Sequence, residues 1–190
     1  EACDQLTRWD ALGLQSNALD MAVNISGRQL ADDRLTREVQ ETLSRTGIPP
    51  NRLTLEVTET VMTTRPDQAR KILEGLRATG VSISIDDFGT GYSSLSQLHR
   101  FPFSHLKIDR SFINNMEDDP DYSAIISAAI SMSRALGLAV VAEGVETVGQ
   151  LDFLSKEGCK TAQGYLFGKP VPPQVFSELW VEKEQMILTS

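Results

Sequence analysis

The chain has 190 residues, 41% hydrophobic and 23% charged, a balance that fits one globular domain and excludes a disordered chain. Its 26 acidic and 18 basic residues leave a formal net charge of −8, which argues against a DNA or RNA binder, since phosphates demand a basic face. The longest apolar run, Ala135 to Ala142, falls far short of the about 20 residues a membrane span needs, so no membrane contact is expected from this segment. In chain order, Glu1–Gly13 reads as a helix with Leu6 and Trp9 on its apolar side, and Asp20–Ile25 as a strand. Leu35, Val39 and Leu43 stripe a helix that Gly47 and Pro49 stop, and Leu53–Val57 is the next strand. Pro66 opens a helix carrying Ala69, Ile72, Leu73 and Leu76 and ending at Gly80, followed by the strand Val81–Ile85. His105–Ile108 is a strand, and Ile125, Ile126, Ala129, Ile130 and Leu136 mark a longer helix ending near Gly137. Ala139–Ala142 is a strand, Thr147 and Gln150 form a capping box ahead of Leu151 and Leu154, Gly158 closes that helix, and Thr161–Gln163 is the last strand.

Strand and helix thus alternate six times, which predicts an α/β fold with a parallel sheet. The faces of the strands separate an open sheet from a barrel. Val81, Ile83 and Ile85 alternate with Ser82, Ser84 and Asp86, and Leu53, Leu55 and Val57 alternate with Thr54, Glu56 and Thr58. A sheet covered by helices on both faces would carry near-continuous apolar strands, whereas one face here is small or polar. That pattern predicts a TIM-type (β/α)8-like barrel. The polar strand ends recur about every 28 residues, so 190 residues hold about six βα units where a full barrel typically takes about 250. The first part of the barrel is expected to be missing, and residues 1–190 are expected to be a single partial domain, the C-terminal part of a larger protein.

Chemistry in such barrels sits at the carboxyl ends of the strands. Those ends carry Asn24, Glu56, Asp86 with Asp87, Lys107 with Asp109, Glu143 and Gln163. Several carboxylates converging on one mouth require raised pKa values or cations between them. The donors are hard oxygens without His or Cys, which selects Mg²⁺ or Mn²⁺, and Lys107 can face an anionic oxygen. This set suits attack of a metal-activated water on a phosphodiester. Asp86 and Asp87 are adjacent, so both reach the mouth only if the strand has ended at Asp86. His99 and His105 read as structural or solvent-facing, and Phe101, Phe103, Phe112 and Phe167 as core or rim packing. Gly89-Thr90-Gly91 lacks the third glycine and the helix context of a nucleotide fingerprint.

The strings Val23-Asn24-Ile25-Ser26, Leu55-Glu56-Val57-Thr58-Glu59-Thr60, Ile85-Asp86-Asp87-Phe88-Gly89-Thr90-Gly91-Tyr92-Ser93-Ser94-Leu95, Leu106-Lys107-Ile108-Asp109, Ala142-Glu143-Gly144-Val145-Glu146 and Gln163-Gly164-Tyr165 occur in that order. With them the sequence closely resembles the EAL-domain family of cyclic-di-GMP phosphodiesterases over nearly its whole length. The resemblance implies that Asn24, Glu56, Asp86 and Asp87 are ligands of a two-cation Mg²⁺ or Mn²⁺ site. It implies that Lys107 contacts the phosphate or the nucleophilic water, that Glu143 is a general base or metal-site partner, and that Gln163 positions water. Glu59 would hold the loop Phe88–Leu95, and Asp109 and Glu146 match motif positions. The implied reaction is hydrolysis of cyclic di-GMP to the linear dinucleotide in bacterial signalling, and a homodimer is implied as the assembly.

The Glu-Ala-Leu string that names the family is absent, and Glu1-Ala2-Cys3 lies too close to Asn24 to replace it. One metal ligand and two strands are therefore expected to be missing. An inactive cyclic-di-GMP receptor and an unrelated Mg²⁺-dependent barrel hydrolase or lyase stand as alternatives. Cys3 and Cys159 have no CxxC partner, which points to a reduced, cytoplasmic setting, with membrane tethering only through domains outside this chain.

Overall fold

A short strand satisfies its backbone groups only beside another strand, and the six apolar runs of this chain do so side by side. The computed structural model describes residues 1–13, 19–61, 65–89 and 98–179. Its elements are α1 (Ala2–Ala11), β1 (Met21–Asn24), α2 (Leu35–Thr46), β2 (Leu53–Thr58), α3 (Pro66–Ala78), β3 (Ser82–Phe88), β4 (His105–Ile108), α4 (Arg110–Asn115), α5 (Pro120–Ala135), β5 (Ala139–Ala142), α6 (Val148–Lys156), β6 (Thr161–Ala162) and α7 (173–179). All six strands are parallel, in the spatial order of the chain.

That order decides the architecture. A doubly wound sheet reverses its strand order at a switch point, and this one never does. Right-handed crossovers that always advance in one direction place their helices on one side of the sheet. The side chains agree: Leu55 and Val57 of β2, Ile83 and Ile85 of β3, and Leu106 of β4 are buried in the core with Leu73 and Leu76 of α3. The fold is α/β, an open barrel of the TIM type, and among the described residues no ladder joins β1 to β6. Every strand expected from the sequence is present, β3 runs on to Phe88, and β6 stops one residue before Gln163. The helix α4 was not foreseen, because six residues offer too short a stripe to read as a period. The serine- and glycine-rich stretch 90–97 lies outside the described residues.

The first and last described helices meet. The Trp9 Nε1–H donates to Ser177 Oγ at 2.9 Å, and the Trp9 and Phe176 ring centroids stand 4.8 Å apart. Arg52, just before β2, donates to both Asp10 oxygens at 2.7 and 2.9 Å and to the Leu19 carbonyl, clamping α1 to the strands. Phe101 and Phe103 stack in the core, Phe112 leans on Tyr122, and Phe167 is exposed, which leaves it outside the core. Among the described residues, no helix is long and apolar enough to cross a membrane.

His99 is exposed, whereas His105 is half-buried at the start of β4, opposite Ser84 in the ladder. Neither Ser84 Oγ nor His105 Nδ1 has a hydrogen-bond partner among the described residues. Burial, then the nearby Arg77 charge, holds the His105 pKa below its usual 6.5, and Asp20 opposes this only in part. Below that value the unfolded chain therefore binds a proton the folded chain resists. The stability His105 contributes is full above about 6.5 and falls as the pH drops through its lower folded value. Melting temperatures of the wild type should thus decline between pH 7 and 5 more steeply than those of His105→Leu, and parallel curves would contradict this.

Candidate active site

The site begins with an irregularity in β3. Ile85 pairs with Leu106 and Phe88 with Ile108, so β3 carries one more residue than β4 over the same span. Asp86 and Asp87 together face Lys107, which is the two-against-one geometry of a β-bulge. Asp87 adopts φ +55°, a left-handed conformation that Asp tolerates better than most residues. The strand therefore does not end at Asp86, as the alternation of faces suggested; the bulge turns the second carboxylate instead. The Asp87 N–H donates to Asp86 Oδ1 at 3.1 Å, and the Gly89 N–H donates to Glu59 Oε2 at 3.2 Å. Glu59 thus holds Gly89, the residue that leaves the bulge. Its removal in Glu59→Ala costs a hydrogen bond to a charged acceptor, so amide exchange at Gly89 should accelerate about tenfold or more. Unchanged exchange would remove Glu59 from this role.

Carboxylates from three strands then converge. One oxygen each from Asp86, Asp87 and Glu143 lie within 4.8 Å of one another. Lys107, 4% exposed, places Nζ 2.9 Å from Glu56 Oε2, 3.0 Å from Asp86 Oδ1 and 2.7 Å from Glu143 Oε1. Burial by itself would pull the ammonium pKa down, but Glu143, Glu56 and Asp86 outweigh it and hold the pKa above the ordinary lysine value. Burial pushes the Glu143 carboxyl up, against the pull of Lys107 and with the help of Asp86 and Glu56. Asp87 is also raised, by burial and then by Asp86 and Asp109. Gln163 Nε2 donates to the same Glu143 Oε1 that Lys107 holds.

Gln163 reaches Glu143 because the loops after β5 and β6 are zipped together. The Val145 N–H donates to the Gln163 carbonyl at 3.0 Å, the Gln163 N–H to Ala142 at 2.8 Å, and the Leu166 N–H to Val145 at 3.0 Å. Gly164 permits this approach, since a Cβ there would overlap the Val145 backbone.

The remaining candidates lie on neighbouring elements. Asn24 pairs with Glu56 in the ladder and is exposed on β1, the edge strand of the sheet among the described residues. Asp109 caps α4, accepting from the Ser111 N–H at 3.0 Å. Glu146 is exposed, its N–H held by Gln150 Oε1, and it lines a cavity of about 580 Å³ with Gln163, Arg110, Tyr165 and Lys169. The two cations of that cavity escaped the sequence reading, although Arg110 directly follows the Lys107–Asp109 motif. Three converging carboxylate oxygens make a donor set able to hold a metal ion.

Comparison with known proteins joins this geometry to a family. The family model for the EAL domain matches residues 1–170. The chain is 48% identical over 176 residues to the bifunctional diguanylate cyclase/cyclic di-GMP phosphodiesterase MucR of Pseudomonas aeruginosa, covering 92% of this chain and 25% of that protein. The structure of the PaMucR phosphodiesterase in a c-di-GMP complex superposes with a TM-score of 0.85 at 47% identity, covering 92% of this chain and 70% of that one. A manganese/cy-diGMP complex of Klebsiella pneumoniae BlrP1 gives 0.79 at 33% identity, covering 88% and 43%. The chain spans between 20% and 40% of the length of the curated relatives it matches.

Proposed function

The chain belongs to the EAL domain family, and on that footing we propose that its site hydrolyses one phosphodiester bond of cyclic di-GMP to give linear pGpG. The observation that carries the reading is the meeting of Asp86, Asp87 and Glu143 within 4.8 Å beside a buried lysine, at the strand ends where such barrels work. Those three carboxylates would hold a Mg²⁺ or Mn²⁺ ion, with Asn24 and Glu56 on the adjoining strands available to a second. A bound ion of this kind supplies a Lewis acid that polarises the phosphate and lowers the pKa of water.

The chain's own groups do the rest. Glu143, its pKa raised into a more basic range, takes the proton of the attacking water. Gln163 fixes its orientation through Oε1. Lys107, held by Asp86 and Glu143, supplies the positive charge that would face the phosphate. Arg110 and Lys169 in the neighbouring cavity offer positive charge to the rest of an anionic dinucleotide. Asp109 serves the site indirectly, as the cap that starts α4.

The reading includes a role as one domain of a longer signalling protein, supported by relatives in which the matching stretch is a minor part. A cytoplasmic setting is supported by two unpaired cysteines, and a homodimer by exposed Ile125 and Val148 on the helical surface. A receptor that binds without hydrolysis draws on one observation, the solvent exposure of Asn24 on β1. Incubation with cyclic di-GMP in Mn²⁺ or in chelator, followed by chromatography, separates the two readings. Linear pGpG in Mn²⁺ alone is expected; binding without product in both conditions would favour the receptor.

A further inference from the structure

Lys107 is the one buried cation among the described residues, and all of its hydrogen-bonding capacity faces acid. An ammonium has three donors, and here three carboxylates from three strand ends stand at 2.7–3.0 Å. Two of them, Asp86 and Glu143, also belong to the cluster whose oxygens converge for a divalent ion. A lysine poised to meet an anion would keep a donor toward the mouth; this one is turned into the carboxylates. The geometry points to a second role: we propose that Lys107 is a built-in counter-cation, which assembles Glu56, Asp86 and Glu143 before any metal arrives and which an arriving divalent ion must displace.

The proposal rests on the reading that these carboxylates take a divalent cation. The physics is direct. Carboxylates brought this close repel one another out of water, and either the ammonium or a metal offsets that repulsion. The two cations share Asp86 and Glu143, so each weakens the other's hold. Lys107 in this sense is a positioning residue whose charge makes the metal-free rim stable at the expense of metal affinity, and whose release turns it toward substrate.

The test compares wild type with Lys107→Met, which keeps the stem and removes the charge. In chelator the variant should melt below wild type. Calorimetric titration with Mn²⁺ should show it binding about tenfold tighter or more, with a larger Mn²⁺-induced rise in melting temperature. Equal or weaker Mn²⁺ binding by a folded variant would overturn the counter-cation role while leaving the metal site standing. Failure of wild type itself to bind Mn²⁺ would remove the metal reading and this proposal together. Wild-type protein carrying ¹⁵N-lysine provides a check independent of the variant's folding. A slowly exchanging Lys107 ammonium signal is expected in chelator and should shift on addition of Mg²⁺, and a signal unmoved at saturation would also overturn the role.

Discussion

Glu143→Gln is expected to cut cyclic-di-GMP turnover at least about a hundredfold while leaving the melting temperature in chelator near that of wild type. The amide keeps the shape of the side chain but cannot take a proton, and it is a poorer ligand for a hard cation. Folding should be spared because the carboxylate is already disfavoured where it stands: burial and the charges of Asp86 and Glu56 raise its pKa. Losing the Lys107 ion pair is offset by losing those repulsions, and Glu56 and Asp86 still hold the ammonium. The measurement is kcat with Mn²⁺ at saturating substrate, beside Mn²⁺ affinity. Turnover within a few-fold of wild type would remove Glu143 from the chemistry.

Gly164→Ala should act through the backbone. Its new Cβ would overlap the Val145 N, C and O atoms, which cannot rotate away as the end of a side chain could. The loops after β5 and β6 must part, and with them the bonds that join Val145, Gln163, Ala142 and Leu166. Three backbone hydrogen bonds at about 0.5–1.5 kcal/mol each amount to a loss of about 1.5–4.5 kcal/mol, read from the urea midpoint. Gln163 would also leave Glu143, so turnover should fall even in the protein that remains folded. An unchanged midpoint together with unchanged turnover would show that the two loops are not held as described.

These two residues mark the boundary between what was legible in the chain and what was not. The period-two alternation in Leu53–Thr58 and Val81–Asp86 reports which face each residue occupies, because that property is local. It sufficed for the barrel-type architecture and for the inward facing of Glu56 and Asp86, while Pro66 and the Thr147–Gln150 capping box marked the starts of α3 and α6. Gln163 could be placed beside the rim from its spacing, but its bond to Glu143 depends on how closely two loops approach, which Gly164 permits and no periodicity encodes.

By itself, then, the sequence determined the six strands, their inward and outward faces, and the oxygen-rich character of the rim. Only the tertiary structure decided how the rim is assembled. Asp87 joins Asp86 through a bulge defined by the register of β3 against β4, Asp109 is turned to capping α4, and Asn24 is left at the free edge. Lys107 is committed to three carboxylates that lie up to 87 residues apart in the chain. The reason is that facing follows from the geometry of a single strand, whereas pairing depends on distances of a few ångströms between strands that only folding brings together.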